Sequence, residues 1–170
     1  CRSKDGQTEC GDTNCGFDCG KNKYALCIVD GMGTGKPAAE QSKRVSATVR
    51  TMISRGVPKT DIMDMVNTAL YNGKEDSVLS FDMSIVDLDS AQCEMLKADA
   101  SPTFICRGGN VYCVGRRSLP LGADETPDSF SSTCTLFDGD ILVMVSDGFF
   151  GDSEDFCMNI LRKCVLEKND

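Results

Sequence analysis

Two apolar segments that each end in Asp-Gly constrain the fold of this chain more than any other feature. The first, Tyr24–Val29, is followed by Asp30, and the second, Ile141–Ser146, is followed by Asp147, with a glycine next in both cases. Apolar runs of this length are typical of buried strands, which have no structural need for a terminal carboxylate. Two carboxylates that meet across a core would repel each other unless they shared a cation. Hard oxygen ligands favour magnesium or manganese as that cation.

The glycines that follow Asp30 leave a second interpretation open. Glycines alternate through 31–35 and are followed by Lys36 and Pro37, a pattern that also suits a plain strand-to-helix turn. A Walker phosphate loop is excluded, because Pro37 stands where the magnesium-binding hydroxyl belongs. The dinucleotide fingerprint does not match either, because the third glycine comes one residue early, so phosphate cradling by Gly31–Lys36 as a nucleotide site is left only as a further alternative.

Composition restricts the chemistry that this chain can perform. Its 170 residues contain no histidine and carry a net charge of −8. Without histidine, the chain itself cannot build a Ser-His-Asp or Cys-His nucleophile system. The acidic balance, without any cluster of Lys and Arg, argues against binding to nucleic acid. No apolar run approaches the roughly 20 residues of a membrane-spanning helix, so we expect no membrane contact within this segment.

The length predicts a single domain that covers residues 1–170. The chain begins at Cys1 rather than at Met and shows no secretion signal, so we expect a piece of a longer protein. This domain is expected to be cytoplasmic. A membrane anchor elsewhere in the parent protein is left open.

The cysteines are numerous, and their odd count of 11 without a secretion signal favours reduced thiols. Five of them fall on apolar faces, where we expect small buried side chains: Cys27, Cys106, Cys113, Cys157 and Cys164. Three others cluster among glycines and could form a redox or thiolate-metal sensor, although they lack C-x-x-C spacing: Cys10, Cys15 and Cys19.

Hydrophobic periodicity predicts a helical hairpin followed by strands. The helices are expected at Ala38–Arg55 and from Pro58 to Asn72. The period then changes to two, which predicts a half-buried antiparallel strand. Its apolar residues Phe81, Met83 and Ile85 are expected inside, and its polar residues Asp82, Ser84 and Asp87 outside.

Further short strands are expected at Gln92–Ala98, Thr103–Arg107, Val111–Val114, Cys134–Phe137 and Ile141–Ser146. Asp138-Gly139 is interpreted as a hairpin turn between the last two strands, and Ser118–Asp128 as a loop. An amphipathic helix is predicted at Glu154–Lys168. Helices grouped among runs of strands predict an α+β layered fold.

Several motifs of this chain occur in the order found in one phosphatase family. They are Asp30-Gly-Met-Gly with Gly35 and Ala38, Ser80–Leu88, Lys97–Arg107, Leu119-Pro-Leu-Gly, and Gly139-Asp140 through Gly148. Together they resemble the phosphatase domain of the stage II sporulation protein E family, a bacterial branch of the PPM-type metal-dependent serine/threonine phosphatases. The resemblance extends from about Gly11 to about Gly151. It implies an αββα sandwich, in which two antiparallel sheets lie between outer helices.

The resemblance also implies roles for individual residues. The aspartate that bridges two metal ions in the family matches Asp30, and the neighbouring carbonyl ligand matches Gly31. The second metal aspartate matches Asp147. An early Gly-Asp matches Gly11 and Asp12, so Asp12, which by sequence alone suits a turn, is added to the expected metal site. The implied catalytic residues are Asp30 and Asp147, with two divalent ions, manganese or magnesium, as cofactors.

The activity implied by the resemblance is hydrolysis of phosphoserine by metal-activated water. The implied substrate is a bacterial regulatory protein of the anti-sigma-factor antagonist type. Such domains usually continue to a last strand introduced by Asp-Asp, which supplies a metal ligand, whereas this chain stops at Asp170. We therefore expect the C-terminal strand and one ligand to be missing. The alternative is a non-catalytic signalling or partner-binding module on the same fold.

Overall fold

The computed structural model describes residues 11–33, 35–73, 77–149 and 158–163. The main elements within these residues are, in chain order, β1 Asp12–Gly20, β2 Lys23–Gly31, α1 Lys36–Ser54, α2 Lys59–Tyr71, β3 Leu79–Asp87, β4 Gln92–Ala98, β5 Thr103–Arg107, β6 Asn110–Val114, β7 Phe130–Thr135 and β8 Ile141–Val143. A turn of 3₁₀ helix, Asp147–Phe149, comes shortly after β8, and a further helical stretch covers 158–163.

The strands form two antiparallel sheets. One sheet has the order β1-β2-β3-β4-β7 and the other has the order β6-β5-β8. The predicted α+β fold with two antiparallel sheets and accompanying helices is confirmed. Most predicted element bounds agree with the structure to within two or three residues at each end.

Helices α1 and α2 cover one face of the five-stranded sheet. Val49 of α1 and Ile62 of α2 are fully buried and belong to one hydrophobic cluster with Phe81 and Met83 of β3. Removing this apolar surface from water is the main source of stability for the layer. Helix α1 begins after Gly35, whose φ of 75° is in the left-handed region that glycine adopts without strain.

The opposite face of the five-stranded sheet packs against the three-stranded sheet. Cys93 and Met95 of β4 form a second hydrophobic cluster with Ile105 of β5. The prediction that β3 is half-buried is wrong at two of its polar positions, because Asp82 is 2% exposed and Ser84 is 0% exposed. The second sheet covers the face that the alternating pattern assigned to solvent.

The segment Asp138-Gly139 is a turn, but it does not form the predicted hairpin. The strand before it, β7, belongs to the five-stranded sheet, whereas β8 belongs to the three-stranded sheet. The Arg107 guanidinium donates hydrogen bonds of 2.6 to 3.0 Å to the Asp140 carboxylate and a bond of 2.9 Å to the Thr135 carbonyl. Arg107 therefore fixes the point where the chain crosses from one sheet to the other.

The cysteine predictions have mixed outcomes. Cys27 and Cys106 are buried as expected. Cys113 is exposed, which contradicts the prediction, because it lies on the edge strand β6 of the smaller sheet. Cys10, Cys157 and Cys164 lie outside the described residues, as does most of the predicted helix Glu154–Lys168. Within the described ranges, no helix is both long and apolar enough to cross a membrane.

Candidate metal centre

Asp30 and Asp147, which are far apart in sequence, line the same small cavity. Asp30 is the penultimate residue of β2, and Asp147 begins the 3₁₀ turn that follows β8. The cavity has a volume of about 30 Å³ and is also lined by Ser80, Asp82 and Asp99. This is room for about one water molecule or a similarly small ion. The structure thus brings together the two Asp-Gly carboxylates that the sequence singled out, although β8 ends at Val143 and Asp147 lies in the turn beyond it.

Gly31 allows helix α1 to begin close to Asp30. A Cβ atom at Gly31 would lie 2.6 Å from the carbonyl oxygen of Ala38, a distance too short for any side chain. Glycine is therefore required where the end of β2 passes the first turn of α1. Gly31 itself is not among the residues that line the cavity.

Asp12 lies in a strand rather than in the turn that its sequence context suggests. It is the first residue of β1 and stands directly opposite Asp30 in the antiparallel register. Directly opposed residues project to the same face, with Cα atoms about 4.5 to 5.5 Å apart. Asp12 therefore shares a sheet face with Asp30, although it does not line the cavity that Asp30 shares with Asp147.

Asp99 is an acid of this cavity that the sequence reasoning missed. It follows β4 directly, and its φ of 48° places its backbone in the left-handed region. The Ser80 hydroxyl lies 3.3 Å from the Asp99 carboxylate. Desolvation raises the pKa of Asp99, and the negative charge of Asp147 raises it further. The hydrogen bond from Ser80 lowers it and so opposes both effects. Little in the sequence pointed to it, because β4 contains Glu94 and Lys97 and no glycine follows Asp99.

Asp82, which lines the cavity, belongs to a buried ion pair. The Lys97 ammonium lies 2.5 Å from Oδ2 of Asp82, and the two side chains are 1% and 2% exposed. Lys97 also donates a hydrogen bond of 2.9 Å to the carbonyl of Ser101. Burial raises the pKa of Asp82 and lowers the pKa of Lys97, while their mutual attraction opposes both shifts. The pair therefore anchors the loop that carries Asp99.

The oxygen donors that line this cavity suit a hard divalent cation. Asp30, Asp99 and Asp147 supply carboxylates, and Oδ1 of Asp82 is buried without a hydrogen-bond partner. Among the described residues, however, no three Asp, Glu, Cys or His side chains form a group that could hold a metal ion. The described side chains thus fit a metal by type, but they do not form a complete ligand set. Within the described part of the chain, Cys15 and Cys19 of the expected thiolate cluster likewise belong to no group of three side chains that could hold a metal ion.

Comparison with known proteins agrees with the fold. The family model of stage II sporulation protein E (SpoIIE) matches residues 20–164. Stage II sporulation protein E of Bacillus subtilis (strain 168) is 34% identical over 149 residues, which cover 87% of this chain. The chain spans 18% of the length of that relative.

Solved structures show the same arrangement of elements. A structure of the PP2C phosphatase domain and a fragment of the regulatory domain of SpoIIE from Bacillus subtilis superposes with a TM-score of 0.75 at 27% identity, covering 92% of this chain and 53% of that one. RsbX in complex with magnesium superposes with a TM-score of 0.73 at 17% identity, over 95% of this chain and 83% of that one, a likeness of fold alone. With a family model that matches most of its length and a fold shared with that PP2C domain, this chain belongs to the stage II sporulation protein E family.

Proposed function

We propose that this chain is the metal-dependent serine/threonine phosphatase domain of a longer protein. Its substrate is phosphoserine on a bacterial regulatory protein of the anti-sigma-factor antagonist type. The observation that carries the proposal is that Asp30 of β2 and Asp147 of the 3₁₀ turn after β8 line one small cavity. The PP2C phosphatase domain in the Bacillus subtilis relative supports the same activity.

Asp30 and Asp147 are the residues that would hold two divalent ions, manganese or magnesium. Asp12, opposite Asp30, and the carbonyl of Gly31 are the nearby oxygen donors proposed to complete their environment. The RsbX structure with magnesium supports a metal on this fold. Bound divalent ions supply positive charge that lowers the pKa of water and neutralises a phosphoryl group.

The remaining contribution of the protein is to hold its carboxylates in place. The Lys97 ammonium is fixed by Asp82 and in turn holds the carbonyl of Ser101, so the loop after β4 has little freedom. The Thr103 hydroxyl, 3.3 Å from Asp82, adds a second constraint from β5. A rigid surrounding shell is what keeps reacting groups aligned in an active site.

A second candidate is a non-catalytic signalling or partner-binding module. The observation that favours it is the incomplete ligand set, since no three metal-binding side chains group together among the described residues. In that case the sandwich would bind the phosphoprotein without hydrolysing it.

The test is manganese-dependent phosphate release from a phosphoserine protein by the intact parent protein, by this chain and by their variants. Asp30→Asn in the parent is expected to lower the rate by several orders of magnitude, because it removes the charge proposed to bridge both ions. Asp147→Asn should lose less, because it weakens one ion. The chain alone should show little activity, part of which returns at millimolar manganese if only metal affinity is reduced.

The matched control is Asp18→Asn, which makes the same charge change at an exposed position of β1. It should leave the rate unchanged. A parent protein that stays fully active with Asp30→Asn at every manganese concentration would refute the assignment of Asp30. A wild-type parent that binds the phosphoprotein and releases no phosphate at any manganese concentration would establish the non-catalytic module instead.

A further inference from the structure

Cys15 and Cys27 form a pair of facing thiols across two adjacent strands. Cys15 of β1 stands directly opposite Cys27 of β2 in the antiparallel register. Directly opposed residues have Cα atoms about 4.5 to 5.5 Å apart, which lies within the range that a disulfide spans. Both cysteines are free thiols and are not joined in a disulfide.

The two sulfur atoms differ in accessibility and in charge. The pKa of Cys15 is lowered to about 6, mainly by a hydrogen bond from the thiol of Cys27. The Ser46 hydroxyl and the charge of Arg50 lower this pKa further, whereas burial opposes them by raising it. The Ser46 oxygen lies 3.2 Å from Sγ of Cys15. The same hydrogen bond, together with burial and the negative charge of Asp82, raises the pKa of Cys27. At neutral pH these shifts favour the thiolate form of the half-buried Cys15 and the thiol form of Cys27.

We propose that Cys15 and Cys27 are a redox-modification site, at which a hydroperoxide forms a reversible disulfide between β1 and β2. The Cys15 thiolate attacks the terminal peroxide oxygen, the O–O bond breaks, and the leaving oxygen takes a proton from solvent. Cys15 is then a sulfenic acid. The sulfur of Cys27 attacks it, the S–O bond breaks, and the departing hydroxide takes the Cys27 proton to form water. The two thiols together lose two electrons and two protons, and the hydroperoxide is reduced to water and an alcohol.

A second cross-strand pair in the same sheet lacks the chemistry that this reaction needs. Cys93 of β4 stands directly opposite Cys134 of β7, and both are free thiols. Cys93 is 0% exposed, and burial raises its pKa to about 12. Burial raises the pKa of Cys134 as well. The register of this pair is equivalent, but neither sulfur is a thiolate at neutral pH, so it should resist oxidation.

The proposed site is independent of the phosphatase proposal. Side chains alternate along β2, so Cys27 faces helix α1, while Asp30 faces the three-stranded sheet. The disulfide would join β1 to β2 beneath α1, next to Ser46. Failure of either proposal would leave the other standing.

The experiment is peptide mapping of the reduced protein after treatment with hydrogen peroxide at pH 7. Remaining thiols are alkylated, and the protein is digested with trypsin without reductant. Cys27 is the single cysteine of the tryptic peptide 24–43, so any peptide linked to it is identified by mass, and fragmentation locates the partner sulfur. The variants are Cys15→Ser and the matched control Cys19→Ser, which changes a second half-buried cysteine of β1 whose pKa is raised by burial.

We expect a peptide that links Cys15 to Cys27, that disappears with dithiothreitol, and that persists in Cys19→Ser. The link should be lost in Cys15→Ser, whose folding is checked by circular dichroism. Alkylation of Cys15 in the reduced protein should rise with a midpoint near pH 6, in line with its lowered pKa. Equal or faster formation of a Cys93–Cys134 link, or linkage of Cys27 to a cysteine other than Cys15, would overturn the proposal. So would oxidation of Cys15 without any link to Cys27, or links that join separate molecules.

Discussion

The two faces of the five-stranded sheet are both buried, but they are built from different side chains. The face beneath α1 and α2 is almost wholly apolar, with Ala25, Val29 and Phe81 all 0% exposed. The face toward the three-stranded sheet instead contains the buried ion pair of Asp82 and Lys97. At one end of that second face lies the cavity of Asp30 and Asp147.

The difference shows which face determines stability and which is adapted to chemistry. Apolar burial against the helices stabilises the fold without any requirement for exact geometry of polar groups. Buried charges contribute little net stability, because the cost of desolvating them offsets their attraction. Their presence beside the candidate metal centre is explained if they hold the loop of Asp99 and Ser101 in position.

The largest effect should come from breaking the buried ion pair. Lys97→Met leaves the carboxylate of Asp82 buried without its partner, and we expect the free energy of unfolding at pH 7 to fall by about 3 to 5 kcal/mol. Urea unfolding followed by circular dichroism measures this change. The loss should shrink as the pH is lowered, because protonation of Asp82 removes the unpaired charge.

The control replaces both partners, with Asp82→Leu combined with Lys97→Met. An apolar pair of similar size should recover most of the lost stability, since no charge is then left buried. A single Lys97→Met variant that is as stable as the wild type would show that Asp82 is not charged in the folded protein. The face toward the three-stranded sheet would then differ from the helix-covered face in polarity but not in buried charge.

The sequence was sufficient to predict most elements and the helix-covered face, because these depend on local periodicity. Helix α1 and strand β2 both follow from the spacing of their apolar residues. The burial of Asp82 could not be predicted in this way. An alternating strand looks the same whether its polar face meets water or a second sheet, and that choice depends on where β5 packs.

The candidate site was predictable to the same limited extent. Asp30 and Asp147 stand out because a carboxylate follows an apolar run in each case. Asp99 was missed because no glycine follows it and its strand contains Lys97, which looks like a surface residue. The facing of Cys15 and Cys27 depends on the register of β1 with β2, and the polar, glycine-rich sequence of β1 gave no sign of a strand.

A smaller effect is expected where the chain crosses between the sheets at Asp140. The Arg107 guanidinium holds the pKa of Asp140 below its usual range. A lowered folded-state pKa gives stability that is present above the unfolded pKa of about 3.9 and is lost as the pH falls through the folded value. Asp140→Asn should therefore cost about 1 kcal/mol at pH 7, and the difference from wild type should shrink below about pH 4.

Urea unfolding of both proteins from pH 3 to pH 8 measures this dependence. Asp138→Asn is the control, since it changes the same charge at an exposed position in the same turn. It should stay within about 0.5 kcal/mol of the wild type at every pH. A difference between Asp140→Asn and wild type that is constant down to pH 3 would mean that the bond to Arg107 does not depend on the charge of Asp140.

The smallest effect concerns one of the few polar contacts on the helix-covered face. Ser46→Ala removes the hydroxyl that lies 3.2 Å from Sγ of Cys15, and the apolar contacts of α1 remain. Stability should change by no more than about 1 kcal/mol, because a single hydrogen bond to a partly buried group is lost. The pKa of Cys15 should rise, since a donor to the thiolate is gone while the thiol of Cys27 and the charge of Arg50 remain. The measurement is the rate of iodoacetamide labelling of Cys15 from pH 5 to pH 9. The control is Thr48→Ala, which removes an exposed hydroxyl of the same helix that bonds to the Arg44 carbonyl instead of to Cys15. A labelling midpoint that moves upward in Ser46→Ala and not in Thr48→Ala would show that a single hydroxyl tunes this thiol, and identical midpoints in both variants would rule that out.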